Sequence, residues 1–365
     1  MEKTSKMSEI HSLVSVIVAN YNGAHLLPEC LSSLRKQDYP HIEITVVDNG
    51  SVDESRRVTK GYGARFMELG YNYGLSVAYN RGAQISTGKY LFFANNDMRF
   101  EKDCVSQLVK AMSEDNSSVF AVDALQYNWK GDKIIHYKGV FTGIKSVKGI
   151  FSEMFLPLPP LMKTYMPCQE VTEVPWGCAG SLMVRRDMFE KLGGFDETFF
   201  TDFEDTDLCW RAWLRGWRTL FVPQAKLYHR WGATTDQKMC KIRRHLTRRL
   251  PKLIFQRLVS QQKNYQRFVL KVLNPLSIIL IFSVKLVAVF VYPFRGKAVI
   301  SVAILKAFFL ILKELPEVLD LRKRIKRTAI LSNRQVISRF WDEKAPTSLV
   351  WPSPDVASRK RKQGQ

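Results

Sequence analysis

The sequence predicts an α/β fold with a mostly parallel sheet, followed by a basic helical extension. Short β-branched and aromatic runs alternate with helical patterns up to Cys240, and only helical patterns follow. Polar residues also recur directly after the predicted strands. Strands that alternate with helices imply right-handed crossovers between parallel neighbours. We therefore predict one domain over residues 1–240 and an extension over residues 241–365.

The predicted strands are short apolar runs that end at polar or turn residues. They lie at Val14–Ala19, Ile42–Val47, Arg65–Leu69, Tyr90–Ala94, Gly180–Val184 and Arg218–Val222. Helices with apolar residues three and four apart are predicted between them. These lie at Ala24–Lys36, Asp53–Tyr62, Gly74–Gln84, Glu101–Ser113, Arg186–Leu192 and Phe203–Leu214. Residues from about Val122 to Val174 show no regular pattern and yield no prediction.

The net charge of +21 is concentrated in the extension. Residues 1–240 hold 28 basic and 28 acidic residues, whereas residues 241–365 hold 27 and 6. A basic segment suits nucleic acid or an anionic membrane surface. Long aliphatic runs such as Leu276–Val291 lie among these charges, which favours a membrane and no nucleic acid.

Three parts of the extension predict how it meets the membrane. Leu253–Leu273 is amphipathic and basic, as in helices that lie among lipid headgroups. A helix that spans a membrane needs about 17–25 apolar residues. The run between Pro275 and Pro293 is at the lower limit of this range, so we expect shallow or re-entrant insertion. The basic clusters Leu321–Arg327 and Arg359–Lys362 are expected on anionic lipid.

Six cysteines without CxxC spacing and an N-terminus without a secretory apolar core indicate a reducing, cytoplasmic compartment.

Polar side chains follow three predicted strands, at the sheet edge where α/β proteins bind ligands. Asn20 and Asn22 follow the first strand, Asp48 follows the second, and Asp97 follows the fourth. Turn formation and helix capping are the alternative roles of such residues. No GxGxxG motif is present at the first strand, which disfavours a nicotinamide enzyme.

Asp97 is a candidate metal ligand, because the charge of a nucleotide diphosphate needs neutralising and Mg²⁺ or Mn²⁺ accepts carboxylate oxygens. His229 could complete a metal or diphosphate site, although a lone histidine is usually structural.

Four acids crowd the start of one predicted helix: Asp202, Glu204, Asp205 and Asp207. The helix dipole accounts for one or two of them, at about 0.3–1 kcal/mol each. Crowded carboxylates repel one another, which raises the pKa of one of them and suits a general base. Upstream, Trp176 and Gly180 offer an aromatic face beside small residues, although a tryptophan is more often part of a core.

Five ordered motifs resemble the family-two glycosyltransferases, inverting enzymes of GT-A fold, and within them the rhamnosyltransferase-like branch. The motifs lie at Val14–Gly23, Val46–Ser51, Asn72–Leu75 with Asn80–Gly82, Leu91–Asp97, and Gly193–Glu197 leading to Glu204–Arg211. Together they cover Val14 to about Thr235. The family's DxD signature reads Asn95-Asn96-Asp97 here, so its first carboxylate is missing.

The resemblance implies a role for each matching residue. Asp205 is the catalytic base with Glu204 beside it, Asp97 holds a divalent cation, and His229 is a late metal or diphosphate contact. Residues implied in nucleotide-sugar binding are Ala19, Asn20, Asn22, Asp48, Asn80, Asn96, Trp176 and Gly180.

The resemblance also implies the partners and the location. It implies a nucleotide-diphosphate sugar donor, with rhamnose from a thymidine donor as the first guess, and a lipid-linked glycan acceptor at the cytoplasmic face of the membrane. The alternatives are a metal-dependent sugar nucleotidyltransferase and a non-catalytic membrane- or nucleic-acid-binding protein. The second acidic group at Glu204 and Asp205 argues against both.

Overall fold

The computed structural model describes residues 11–114, 118–137, 140–141, 170–230, 233, 252–296 and 298–340. The strands in these ranges are β1 (Val14–Asn20), β2 (Ile42–Asp48), β3 (Arg65–Glu68), β4 (Tyr90–Asn95), β5 (Met98–Phe100), β6 (Val119–Asn128), β7 (Ile134–Tyr137), β8 (Val140–Phe141), β9 (Thr172–Glu173), β10 (Leu182–Arg185) and β11 (Arg218–His229). The helices there are α1 (Leu27–Arg35), α2 (Ser55–Gly61), α3 (Leu75–Ile85), α4 (Cys104–Glu114), α5 (Arg186–Leu192), α6 (Glu204–Leu214), α7 (Lys252–Val272), α8 (Pro275–Phe294), α9 (Ala298–Thr328) and α10 (Asn333–Phe340).

All the described strands belong to one sheet, with the main order β3-β2-β1-β4-β10-β6-β11-β5. The first four strands of this order are mutually parallel, as the alternating pattern predicts. β10 runs antiparallel to both β4 and β6, and β5 runs antiparallel to β11. The sheet is therefore parallel in its first half and mixed in its second.

Helices cover both faces of the sheet. On one face α1 and α4 pack through residues such as Leu31 and Leu108, and on the other α3, α5 and α6 pack through residues such as Tyr79 and Leu208. Each helix buries the apolar side that its spacing predicts.

Three strand predictions need correction. β6 lies partly inside the stretch that gave no pattern, and it holds a central place in the sheet. β11 does not end before Pro223 but continues to His229 past an irregularity between Val222 and Lys226. β5 follows Asp97 at once and delays the next helix to Cys104.

The helices of the extension pack on the α/β domain. Trp210 and Trp213 of α6 share a buried cluster with Phe268 of α7 and Phe340 of α10. α6 is therefore covered by the extension on the side that faces away from the sheet.

α8 is largely exposed, with Ile281 as its buried side chain. Among the described residues it is the one helix long and apolar enough to cross a membrane, with a mean hydropathy of 2.3. α9 runs from Ala298 past Pro316 to Thr328, so it includes the basic cluster Leu321–Arg327. The cluster Arg359–Lys362 lies outside the described residues.

Candidate active site

The carboxyl ends of β1, β2 and β4 are joined by buried side chains. Asn20 Nδ2 donates to Asp48 Oδ1 at 2.7 Å, and Asn96 Nδ2 donates to Asn20 Oδ1 at 2.6 Å. All three side chains are buried, with at most 3 % of each residue exposed. The chain reverses closely here, since a Cβ on Gly23 would lie 2.0 Å from Asn96 Nδ2. The structure thus brings these three predicted residues together at the carboxyl edge of the sheet, next to Ala19 near the end of β1.

Asp48 and Asn22 shape the turn after β2. Asp48 Oδ2 accepts from the Ser51 backbone N–H at 2.7 Å, and Asp48 Oδ1 accepts from the Ser51 hydroxyl at 2.5 Å. Asn22 has a left-handed backbone, φ +49°, and its Oδ1 accepts from the Val52 N–H at 3.0 Å. The turn role considered for both residues is therefore present, and their contact with a nucleotide remains a prediction.

Asp97 and His229 meet at the junction of β4, β5 and β11. His229 Nε2 lies 3.2 Å from Asp97 Oδ1, and both residues are at least nine-tenths buried. His229 Nδ1 lies 3.0 Å from Gln126 Oε1. Because an amide oxygen only accepts, this contact is a hydrogen bond when Nδ1 carries a proton, and Nε2 then lies on the side of the carboxylate.

Two acceptors at this distance suit a divalent cation, since imidazole nitrogen and carboxylate oxygen are both ligands of Mn²⁺-like ions. No third His, Cys, Asp or Glu completes a metal-binding group within the described ranges. The residues present fit a cation whose other ligands come from the donor's phosphates or from water.

The extension binds two of the four acids at the start of α6. Asp207 is fully buried between Arg211, at 2.8 Å, and Lys271 of α7, at 2.6 Å. Asp202 accepts from Gln261 Nε2 at 3.1 Å and lies 3.7 Å from Arg257. Both acids are thus structural, and the pair Glu204 and Asp205 remains for chemistry.

Glu204 is the most perturbed carboxyl of this pair. It is 4 % exposed, and its Oε2 has no hydrogen-bond partner in the described part of the chain. Burial raises the pKa of Glu204 well above its usual range, and the nearby charges of Asp205 and Asp202 raise it further. Burial and the neighbouring carboxylates thus act on Glu204 in the same direction, as crowding predicts.

Asp205 is less buried and is held by donors. Its Oδ2 accepts from the Ala179 N–H at 3.1 Å, and its Oδ1 accepts from the Thr206 N–H at 2.6 Å. Hydrogen bonds to a carboxylate favour its charged form. Asp205 is therefore oriented as a carboxylate at the first turn of α6.

Tyr79 joins α3 to the end of β4, two residues before Asp97. Its hydroxyl donates to Asn95 Oδ1 at 2.9 Å. Burial raises the pKa of Tyr79, and Cys178, Glu204 and Asp97 raise it further. Charges of both acidic groups thus act on this one buried phenol.

The loop before α6 is strained and held from two sides. Asp202 and Phe203 have left-handed backbones, with φ of +68° and +79°. Asn264 of α7 donates to the carbonyls of Thr201 and Asp202, both at 2.9 Å, and Leu75 N–H donates to Phe200 O at 2.7 Å. Such strain persists where the surroundings enforce it.

Three of the predicted donor contacts have other observed partners. Asn80 donates to Phe195 O at 2.9 Å and accepts from the Phe195 N–H at 3.0 Å, so its amide secures the loop after α5. Trp176 packs against two apolar clusters, the core alternative for this residue. Gly180 lies against Asn95, where a Cβ would be 2.6 Å from its amide nitrogen.

Sequence reasoning missed Gln126 and the residues of α7 that reach the site. Gln126 lies in the stretch without a pattern, and Asn264 and Lys271 lie among the basic residues that were assigned to lipid. A signal for them was present in the sequence, because these polar residues occupy the apolar side of their helix or strand.

Residues 15–193 match the family model described as Glycosyl transferase family 2. An uncharacterized glycosyltransferase of Rickettsia conorii is 30 % identical over 210 residues, which are 56 % of this chain and 32 % of that protein. The N-acetylglucosaminyl-diphospho-decaprenol L-rhamnosyltransferase of Mycobacterium tuberculosis is 26 % identical over 241 residues, 62 % of this chain and 78 % of that protein.

The matched segment covers only about a third of the Rickettsia protein. Among solved structures, a mannosyltransferase of Pyrobaculum calidifontis in complex with GDP-Man and Mn²⁺ aligns with 82 % of this chain and 86 % of that one. The sequence identity is 17 % and the TM-score is 0.46, a distant likeness.

Proposed function

The chain carries a glycosyl transferase family 2 domain, as its motifs predict, and we propose that it is an inverting glycosyltransferase that uses a nucleotide-diphosphate sugar. The proposed reaction moves rhamnose or another hexose to a lipid-linked glycan in cell-surface polysaccharide synthesis. The activity, both substrates and the location are parts of this proposal.

The observation that carries the proposal is that one short segment contacts two different acidic groups, since the Ala179 N–H donates to Asp205 and Gly180 lies against Asn95, two residues before Asp97. Asp97 and His229 offer a carboxylate and an imidazole 3.2 Å apart. Asp205 is held by two backbone N–H groups at the first turn of α6. One group suits a leaving diphosphate and the other suits an attacking alcohol.

In the proposed reaction Asp205 accepts the proton of the acceptor hydroxyl while that oxygen attacks the anomeric carbon. The new carbon–oxygen bond forms as the bond to the nucleoside diphosphate breaks, so the configuration inverts. A divalent cation held by Asp97 and His229 would neutralise the charge on the diphosphate. Glu204 lies beside Asp205 with a buried, unpartnered Oε2 in the described part of the chain, and is suited to hydrogen-bond the acceptor.

The test is a panel of nucleotide sugars scored for release of the nucleoside diphosphate, with Asp205→Asn as the control. A positioned general base contributes about 10²–10⁴-fold. We therefore expect at least a hundredfold loss of turnover in Asp205→Asn, with donor affinity retained. Release of pyrophosphate in place of the nucleoside diphosphate would assign a nucleotidyltransferase, and full turnover in the variant would remove Asp205 from the role of base.

We also propose that α8 and α9 attach the protein to the cytoplasmic face of an anionic membrane. Exposed apolar side chains crowd both helices, among them Leu276, Ile279, Phe290 and Phe309 at 63–80 % exposure. Apolar patches of this kind mark protein or membrane contacts. The net charge of the extension favours anionic lipid.

Truncation after Cys240 would also remove α7 and its contacts with the loop before α6, so a point variant is the sharper test. Phe290→Glu should reduce sedimentation with phosphatidylglycerol vesicles, because a charge replaces a side chain that is 66 % exposed on α8. Ile330→Glu makes the same change at another exposed site of the extension and is the control. Equal sedimentation of both variants would refute membrane contact through α8.

A further inference from the structure

We propose that Gln126, Ser181 and Asp123 form a buried hydrogen-bond relay that holds the His229 ring through Nδ1, with Nε2 on the side of Asp97. In this relay Gln126 is a positioning residue for the metal and diphosphate site. The inference rests on the proposed function in one respect, the assignment of Asp97 and His229 to a cation.

The relay is continuous and excluded from water. Gln126 Oε1 lies 3.0 Å from His229 Nδ1, and Gln126 Nε2 donates to Ser181 Oγ at 2.8 Å. Ser181 Oγ donates in turn to Asp123 Oδ1 at 2.7 Å. Gln126, Ser181 and Asp123 are fully buried.

The direction of the relay follows from its donors. The Ser181 hydroxyl donates to Asp123 Oδ1, and the Gln126 amide NH₂ donates to Ser181 Oγ, which turns Gln126 Oε1 towards His229. Since that oxygen can only accept, its hydrogen bond with the imidazole uses a proton on Nδ1.

The relay is also held sterically at its far end. A Cβ on Gly177 would lie 2.7 Å from Asp123 Cβ, so the strand and the segment before β10 leave little room for another Asp123 rotamer. Ser181 belongs to the short 3₁₀ turn Ala179–Ser181, whose Ser181 N–H donates to Cys178 O at 2.9 Å. The hydroxyl is thus presented from a backbone that is itself fixed.

A purely structural role explains these contacts less well. Burying amide and carboxyl groups is unfavourable unless they are hydrogen-bonded, and apolar residues would fill the same strand positions without that cost. The chain of donors reaches a ring nitrogen on the site, with a long side branch to the backbone, from the Ser181 hydroxyl to Cys178 O at 3.4 Å. Partners of this kind around a metal ligand commonly contribute 10–100-fold to metal affinity.

The first test reads the tautomer of His229 directly. In ¹⁵N spectra of the full chain, with the resonance assigned through His229→Asn, the wild type should show the proton on Nδ1. Gln126→Met removes the acceptor at similar size, so the Nε2-protonated form should appear. Gln126→Glu retains an acceptor that faces Nδ1 and should restore the wild-type tautomer, which a merely space-filling role would not require.

The second test measures Mn²⁺ binding by electron paramagnetic resonance, with UDP and dTDP as the nucleotide probes. We expect Gln126→Met to bind Mn²⁺ 10–100-fold more weakly than the wild type. Gln266→Met makes the same substitution at a buried glutamine of α7 and should leave Mn²⁺ affinity unchanged. If Gln126→Met fails to fold, Ser181→Ala frees the amide to reverse and should give both tautomers.

The outcomes separate the relay from the proposed function. Wild-type Mn²⁺ affinity and an unchanged tautomer in Gln126→Met would overturn the relay. A wild type that shows the Nδ1 proton but binds no Mn²⁺ with either nucleotide would retain the relay and refute the metal site.

Discussion

Lys271→Met tests whether the extension holds the helix that carries the proposed base. Lys271 is 2 % exposed, and its ammonium lies 2.6 Å from both Asp196 Oδ2 and Asp207 Oδ1. Removing one partner of a buried ion pair costs about 3–5 kcal/mol. Each carboxylate retains a second cation here, Arg267 for Asp196 and Arg211 for Asp207. We therefore expect a loss at the lower end, about 3 kcal/mol.

The matched control is Lys263→Met, the same change two turns earlier on α7. Lys263 is more exposed, and among the described residues its one ion pair is with Glu314, at 2.9 Å, so its loss should cost about 1 kcal/mol or less. Urea unfolding followed by circular dichroism gives the free energies of unfolding. Turnover at a temperature where both variants are folded shows whether α6 still holds the proposed base in place. If Lys271→Met costs no more than Lys263→Met, the extension does not hold α6 through these charges.

Three further outcomes follow from the structure. Burial raises the pKa of Glu204 above its unfolded value of about 4.3, so its contribution to stability is present below that pH and is lost as the pH rises towards the folded pKa. Glu204→Gln should thus gain stability over the wild type as the pH rises in thermal unfolding scans, and a constant difference would contradict this. Burial opposes ionisation of Asp196, but Lys271 and Arg267 hold its pKa below its usual range. Acid unfolding of Lys271→Met should therefore begin at higher pH than that of the wild type. Gly180→Ala should displace Asn95 and reduce turnover even under conditions where the variant is fully folded. Wild-type turnover in the folded variant would refute a role in the site.

The edge formed by β1, β2 and β4 could be predicted because parallel strands end side by side, so residues far apart in sequence meet there. Asn20, Asp48 and Asn96 needed no more than that rule. β6 escaped prediction for a local reason, since buried polar residues at Asp123 and Gln126 interrupt its apolar pattern. These are the same side chains that form the relay.

The partners of the acids at α6 could not be predicted from local pattern. Asp207 lies four residues before Arg211, a spacing that predicts their pair. Its second partner, Lys271, lies more than sixty positions later, in a segment whose basic residues have an equally good explanation in anionic lipid. His229 reaches Asp97 only because β11 continues past Pro223 and pairs with β5, where His229 lies opposite Met98. Such pairings depend on the tertiary fold and leave no periodic signal.

The turn Ala179–Ser181 sets the geometry between the two halves of the proposed site. The Ala179 N–H orients Asp205 at one end of the turn, and the Ser181 hydroxyl joins the relay to His229 at the other. Gly180 alone separates these two residues, so a shift of the turn by a fraction of an ångström would move the proposed base and the proposed metal ligand together. Misplacement of a reacting group by about 1 Å can cost a hundredfold in rate. In the proposed reaction, one short backbone segment therefore sets the separation between Asp205 and the leaving group, and the sugar must fit that separation.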